Sequence, residues 1–200
     1  MAYHAIANGA PDLAKITKIL HRIEAYYLRP VHTLFRLPMG ELQDNCQFVI
    51  AQTLLSTIAS ASTTLYMIGI NDGERFRNVL IDYYPWETET VTRNEAAKIL
   101  YEQFRCPIVH DAGVNLRGGP DKAKVLRVIK NNEGLSEERI EFLESRDRPA
   151  DLAPTLTERD DGVVVLRSEA LYWGVRCMVE RLTADRERME RAEAALPDHV

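Results

Sequence analysis

The sequence predicts a mostly α-helical domain, and three observations carry that expectation. Leu13, Ile16, Ile19, Leu20, Ile23 and Tyr27 recur at helical spacing. No charged residue occurs between Asp44 and Asp72. Thr92-Arg93-Asn94-Glu95 has the form of a capping box, in which each end's side chain satisfies the other's backbone N–H. With the chain breakers between them, these features outline an antiparallel four-helix bundle, followed by a small β-ribbon and a long C-terminal helix that packs back. We assign 1–118 to the bundle and 119–200 to an α/β extension of the same domain.

The first helix starts near Asn8-Gly9-Ala10-Pro11 and runs to about Arg29, where Pro30 ends or kinks it. Leu37-Pro38-Met39-Gly40 is a turn. The second helix, uncharged beyond Asp44, runs from about Leu42 to Ile70 and stops at Asn71-Asp72-Gly73. A short third helix, Glu74 to Tyr84, places Phe76, Val79, Leu80 and Tyr83 on one face, and Pro85 closes it. Trp86 then plugs the bundle end. The fourth helix runs from its Thr92 cap through Ile99, Leu100 and Phe104 to Arg105, and Pro107 makes it kink or restart. Gly113 and Gly118-Gly119-Pro120 end the helical core.

Beyond it, 124–130 and 163–166 read as strands, and Ser136 caps a short helix to about Ser145. Residues 146–162, with two prolines and many charges, read as an exposed loop. Ser168 caps the final helix, which extends to about Leu196. Its Leu171, Val175, Met178 and Leu182 form an apolar seam facing the core or a partner. Arg186 to Arg191 reads as a solvated face with internal ion pairs.

The 200 residues are enough to bury a core without disulfide or metal staples. The net charge of −5 excludes a surface uniformly suited to nucleic acid, so any such contact needs a local basic patch. Cys46, Cys106 and Cys177 are odd in number and far apart, which argues against a disulfide framework and against zinc. They suit a reducing compartment, and the N-terminus lacks a basic start followed by a long apolar run, so a cytoplasmic location is expected. The uncharged stretch is long enough to span a bilayer, yet its Gln47, Gln52 and seven Ser or Thr hydroxyls favour a helix buried by small residues instead.

Most standard sites are absent from the sequence: there is no Gly-rich phosphate loop, no Gly-x-Ser-x-Gly elbow and no His-Glu-x-x-His. His21 and Glu24 do not amount to a metal site, and His32 has no evident partner. No cofactor or metal is therefore expected. The exception is Arg105 and His110, which flank Cys106-Pro107-Ile108-Val109. On an undistorted helix they would stand about 140° apart. A proline kink between them would turn the histidine back toward the guanidinium. Arginine grips phosphate oxygens in a bidentate fork, and a neutral imidazole moves a proton at physiological pH. A structural reading of the same residues has Arg105 bonding helix-end carbonyls.

Phe104-Arg105-Cys106-Pro107-Ile108-Val109-His110, preceded by an uncharged helix and followed by a β-ribbon and a helix, resembles the motif of the HEPN superfamily. The resemblance covers about residues 10–115. It implies a small helical bundle, in many members a metal-independent endoribonuclease of toxin–antitoxin, abortive-infection or CRISPR systems. By that resemblance Arg105 stabilises the phosphate and His110 transfers the proton as a ribose 2′-hydroxyl attacks phosphorus. The resemblance also implies a homodimer, and a toxin or phage-defence effector with an antitoxin or defence partner. A non-catalytic HEPN-like binding or dimerisation module is the alternative. Arg117, Lys122, Lys124, Arg127 and Lys130 stand against Asp121 alone and form the basic patch an RNA backbone would need. Read blandly, they are a strand with its charges toward water.

Overall fold

The structure, a computed structural model, describes residues 13–37, 43–86, 91–106, 126–129, 135–158 and 163–197. These residues are mostly helical, with a small sheet. The expected helix start at Asn8 to Pro11, the Pro38-Met39-Gly40 part of the turn, Pro107 and the glycines at 113, 118 and 119 lie outside them.

Helix α1 (Ala14–Ile23) buries Ile16, Ile19, Leu20 and Ile23, one stripe at helical spacing. Pro30 does not end it. A π turn (Glu24–Leu28) carries the helix into α2 (Arg29–Arg36), with the proline in the first turn. An interior proline clashes with the carbonyl four residues back, and a first-turn proline needs no donor. The wider turn, closed by the Arg29 N–H on the Glu24 carbonyl, supplies the room.

Helix α3 (Gln43–Ala61) also passes into a π turn (Ser62–Tyr66) and stops at Met67, a left-handed residue with φ 56°. That is earlier than the expected Ile70, and hydroxyls account for it. Ser62 and Thr63 donate to the Ala59 carbonyl and Thr64 to that of Ser60, which competes with the helical ladder. Asn71 is accordingly a start and not a stop. Its side chain accepts the Glu74 N–H at 2.9 Å and caps α4 (Asp72–Tyr83). Trp86 plugs the next corner as expected, buried against Tyr84 and donating its indole N–H to the Leu80 carbonyl at 2.7 Å. Helix α5 (Arg93–Ile99) starts at the expected Thr92 cap, whose hydroxyl accepts the Glu95 N–H, and a π turn (Leu100–Arg105) extends it to Cys106.

Three strands form one sheet in the order β1 (Leu126–Ile129), β3 (Val164–Arg167), β2 (Leu156–Glu158). β1 runs parallel to β3 with Leu126 opposite Val164, and β2 runs antiparallel to it with Leu156 opposite Leu166. The expected two-stranded ribbon is thus corrected. β2 lies inside the stretch read as a loop, and α6 (Glu137–Leu143), capped by Ser136 as expected, lies in the crossover that a parallel pair requires.

The expected single C-terminal helix is two helices, α7 (Ser168–Ala184) and α8 (Arg186–Ala195). Asp185 breaks it (ψ 88°), and its carboxylate accepts the Arg188 N–H at 3.1 Å as the cap of α8. Ser168 is the first residue of α7 rather than its cap, because β3 feeds directly into the helix. Helix α7 is buried on nearly every side and packs on α3 and α4. Gly174 permits this: a Cβ there would sit 2.1 Å from the Tyr84 hydroxyl oxygen. The Leu171–Leu182 seam faces the core and leaves a partner nothing to grip. Phe48–Tyr66 has the length and apolarity to cross a membrane, and half of that window is buried inside the molecule.

Candidate functional site at the end of the fifth helix

The site begins with a missing side chain. Gly73, in the first turn of α4, lets α5 approach so closely that a Cβ would lie 2.7 Å from the Tyr101 ring. Tyr101 fills that notch. Its ring tilts against Phe76 with centroids 5.4 Å apart, and it carries the Arg77 guanidinium at 5.5 Å and the Arg105 guanidinium at 5.6 Å. Burial raises the Tyr101 phenol above its ordinary value, and the neighbouring Cys106 thiol adds to the shift.

Arg105, half-buried, is one wall of an open cleft of about 250 Å³ between α3, α4 and the first π turn. Ser56 and Ser60 of α3 and Thr63 of the π turn that follows it line the cleft with hydroxyl-bearing side chains, and Tyr27 and Phe76 contribute aromatic walls. The Thr63 hydroxyl is bonded to helix carbonyls, whereas those of Ser56 and Ser60 make no hydrogen bond to another described residue. Asp72 puts one carboxylate at the rim, with Arg75 at 3.8 Å to offset it. A guanidinium beside hydroxyl donors is chemistry for an anion with several oxygens.

Of the expected site residues, Arg105 is the last residue of the π turn that extends α5. His110, Arg117, Lys122, Lys124 and Lys130 lie outside the described residues. Arg127 is on β1 opposite Val165, and its side chain is likewise outside the description. Among the described residues no cluster of His, Cys, Asp or Glu has metal-site geometry. His32 has an unforeseen neighbour, Glu137 of α6 at 3.9 Å, which also pairs with Arg36. Sequence reasoning missed Tyr101 and the hydroxyls of α3 and its π turn as site residues. Ser56, Ser60 and Thr63 share one helical face, and that spacing was a readable signal.

The C-terminal charges divide. Arg186 pairs with Glu190 at 2.8 Å and Arg191 with Glu187 at 2.7 Å, as expected for a solvated face. Arg188 instead turns inward over the Tyr66 ring at 4.6 Å and donates to the Tyr83 hydroxyl at 2.9 Å. Comparison with protein-family models, with curated proteins and with solved structures gives no match.

Proposed function

We propose that the chain is a HEPN-like endoribonuclease that cleaves RNA without a metal. In this reading α1 with α2, α3, α4 and α5 make up the antiparallel four-helix bundle, and the α5 end carries the chemistry. The observation that supports it most is Arg105, seated on Tyr101 and opening onto the hydroxyl-lined cleft. Arg105 grips the scissile phosphate through its fork. His110 takes the proton from the ribose 2′-hydroxyl as its oxygen attacks phosphorus. The bond from phosphorus to the 5′-oxygen breaks, and that oxygen receives a proton. The products are a cyclic phosphate and a free 5′-hydroxyl.

Arg117, Lys122, Lys124, Arg127 and Lys130 hold the flanking backbone. Replacing Lys122, Lys124 and Arg127 with glutamine should weaken RNA binding across sequences and flatten its salt dependence, measured by fluorescence polarisation. A homodimer would bring two Arg105 and His110 sets to one groove, with the exposed part of α3, around Val49, as the remaining surface for it. A toxin or phage-defence role with a partner protein follows from the resemblance alone.

A second reading, the non-catalytic HEPN-like module, draws on the contact of Arg105 with Tyr101, which a structural arginine would also make. The test is cleavage of a structured RNA in EDTA by wild type, Arg105→Ala and His110→Ala. Loss in both variants supports the nuclease. Equal residual activity in all three marks a contaminant and leaves the module.

A further inference from the structure

Three π turns interrupt the helices of the described residues, at Glu24–Leu28, Ser62–Tyr66 and Leu100–Arg105. All three meet at the cleft that holds Arg105. The first supplies Tyr27 to its lining, the second Ser62 and Thr63, and the third Arg105 itself. A π turn is rare and recurs at functional sites. Pro30 accounts for the first of them, but not for the convergence of three on one cleft. We propose that this cleft takes one unpaired nucleotide of an RNA strand, with the Tyr27 ring as the face on which its base stacks. The assignment rests on the reading of Arg105 as the residue that grips phosphate, and it adds the base.

Other tyrosines of the fold are tied down. The Tyr66 hydroxyl donates to the Asp82 carboxylate at 2.5 Å, Tyr83 to Asp185 at 2.6 Å and Tyr172 to Glu144 at 2.9 Å. Tyr27 is half-buried in the cleft wall and makes no hydrogen bond, ring pairing or cation contact with another described residue. Its position is thus set by the π turn and its packing, and its aromatic face borders the cleft.

A nucleotide unit calls for an aromatic face for the base, a guanidinium for the phosphate and hydroxyls for the ribose oxygens. Tyr27, Arg105, and Ser56 with Ser60 bring these to one cleft. Its volume of about 250 Å³ is below the roughly 300–1,000 Å³ of sites for drug-sized ligands, which suits one nucleotide and not a duplex. A base within a duplex has both faces covered by its neighbours, so the nucleotide taken is unpaired.

The experiment measures binding apart from cleavage. The probe is a fluorescein-labelled 2′-fluoro oligouridine, which has no 2′-hydroxyl to attack phosphorus, and its abasic counterpart has the same phosphates without bases. Fluorescence polarisation compares the full chain as wild type, Tyr27→Phe, Tyr27→Leu and Tyr26→Leu. Tyr26 is the control, an aromatic neighbour that is exposed and outside the cleft lining. Tyr27→Leu and the abasic strand should each lose roughly tenfold or more in affinity, whereas Tyr27→Phe, which keeps the ring, and Tyr26→Leu should bind as wild type does. Irradiation of wild type with a 5-iodouridine strand should give an adduct at Tyr27 that disappears when the strand is annealed to its complement. This adduct decides the matter even if Tyr27→Leu fails to fold. The proposal is overturned if folded Tyr27→Leu or the abasic strand binds as tightly as the wild-type pair, if Tyr26→Leu loses as much as Tyr27→Leu, or if the adduct maps elsewhere or survives annealing. Cleavage of ordinary RNA in EDTA is read separately. Cutting without stacking at Tyr27 sinks only this assignment, and stacking without cutting sinks only the nuclease reading.

Discussion

Two arginines in this fold lie over tyrosine rings, and their surroundings differ. Arg188 is tied to its own helix start and to two other elements. It donates to the Tyr83 hydroxyl at 2.9 Å and to the Tyr66 carbonyl at 3.4 Å, and it lies 3.6 Å from the Asp185 carboxylate. Its side chain is 16% exposed. Arg105 rests on Tyr101 and opens onto a cleft whose Ser56 and Ser60 hydroxyls have no described partner. The first arrangement neutralises and immobilises a guanidinium, which is what stability needs. The second seats a guanidinium on an aromatic face at the wall of a cleft that also holds hydroxyls.

Exchanging the two lesions breaks or sharpens the comparison. Arg105→Ala should lower the RNA cleavage rate about 10²–10³-fold while shifting the unfolding midpoint little. Arg105→Lys should restore only part of the rate, because an ammonium lacks the fork. Gly73→Ala acts one step further back. The added methyl pushes Tyr101 out of its notch and displaces Arg105 with it, so the rate should fall by up to about 10²-fold although no reacting group is altered. Arg188→Ala should do the reverse. It should cost roughly 1–3 kcal/mol in urea unfolding, by stranding the Tyr66 and Tyr83 contacts, and leave the rate of the folded fraction unchanged.

The smallest effect is expected at Asp185. Hydrogen bonds from the Tyr83 hydroxyl and then from the Arg188 backbone N–H hold its carboxyl below the ordinary value. The fold therefore prefers the ionised form. Its stabilisation is complete above the unfolded value of about 4 and is lost as pH falls through the lower folded value. Asp185→Ala should cost about 1 kcal/mol at neutral pH, and the gap to wild type should narrow in acid, read by thermal melts across pH.

What was legible in the sequence was local. Thr92, Ser136 and the Phe76–Tyr83 face could be read because a cap or an apolar stripe needs only residues within a turn or two. Pro30 misled because the π turn that absorbs it lies upstream, at Glu24–Leu28, where no residue type announces it. Strand β2 is three residues long and gains its identity only by pairing with β3. Arg188 looked solvated because its partners Tyr66 and Tyr83 are more than a hundred residues away in sequence. The position of Arg105 at a helix end was legible, while its seat on Tyr101 beside Gly73 and the hydroxyls of the same cleft required the packing of α3 and α4 against α5.

The most direct measurement of the central claim is the chemistry of the cut ends. An RNA of defined sequence is incubated with the protein in EDTA, and the fragments are analysed by mass spectrometry beside those from His110→Ala. The account predicts fragments ending in a 2′,3′-cyclic phosphate and beginning with a 5′-hydroxyl, formed by wild type and reduced about 10²–10⁴-fold in the variant. Fragments with a 5′-phosphate, or the same ends at the same rate from His110→Ala, would contradict it.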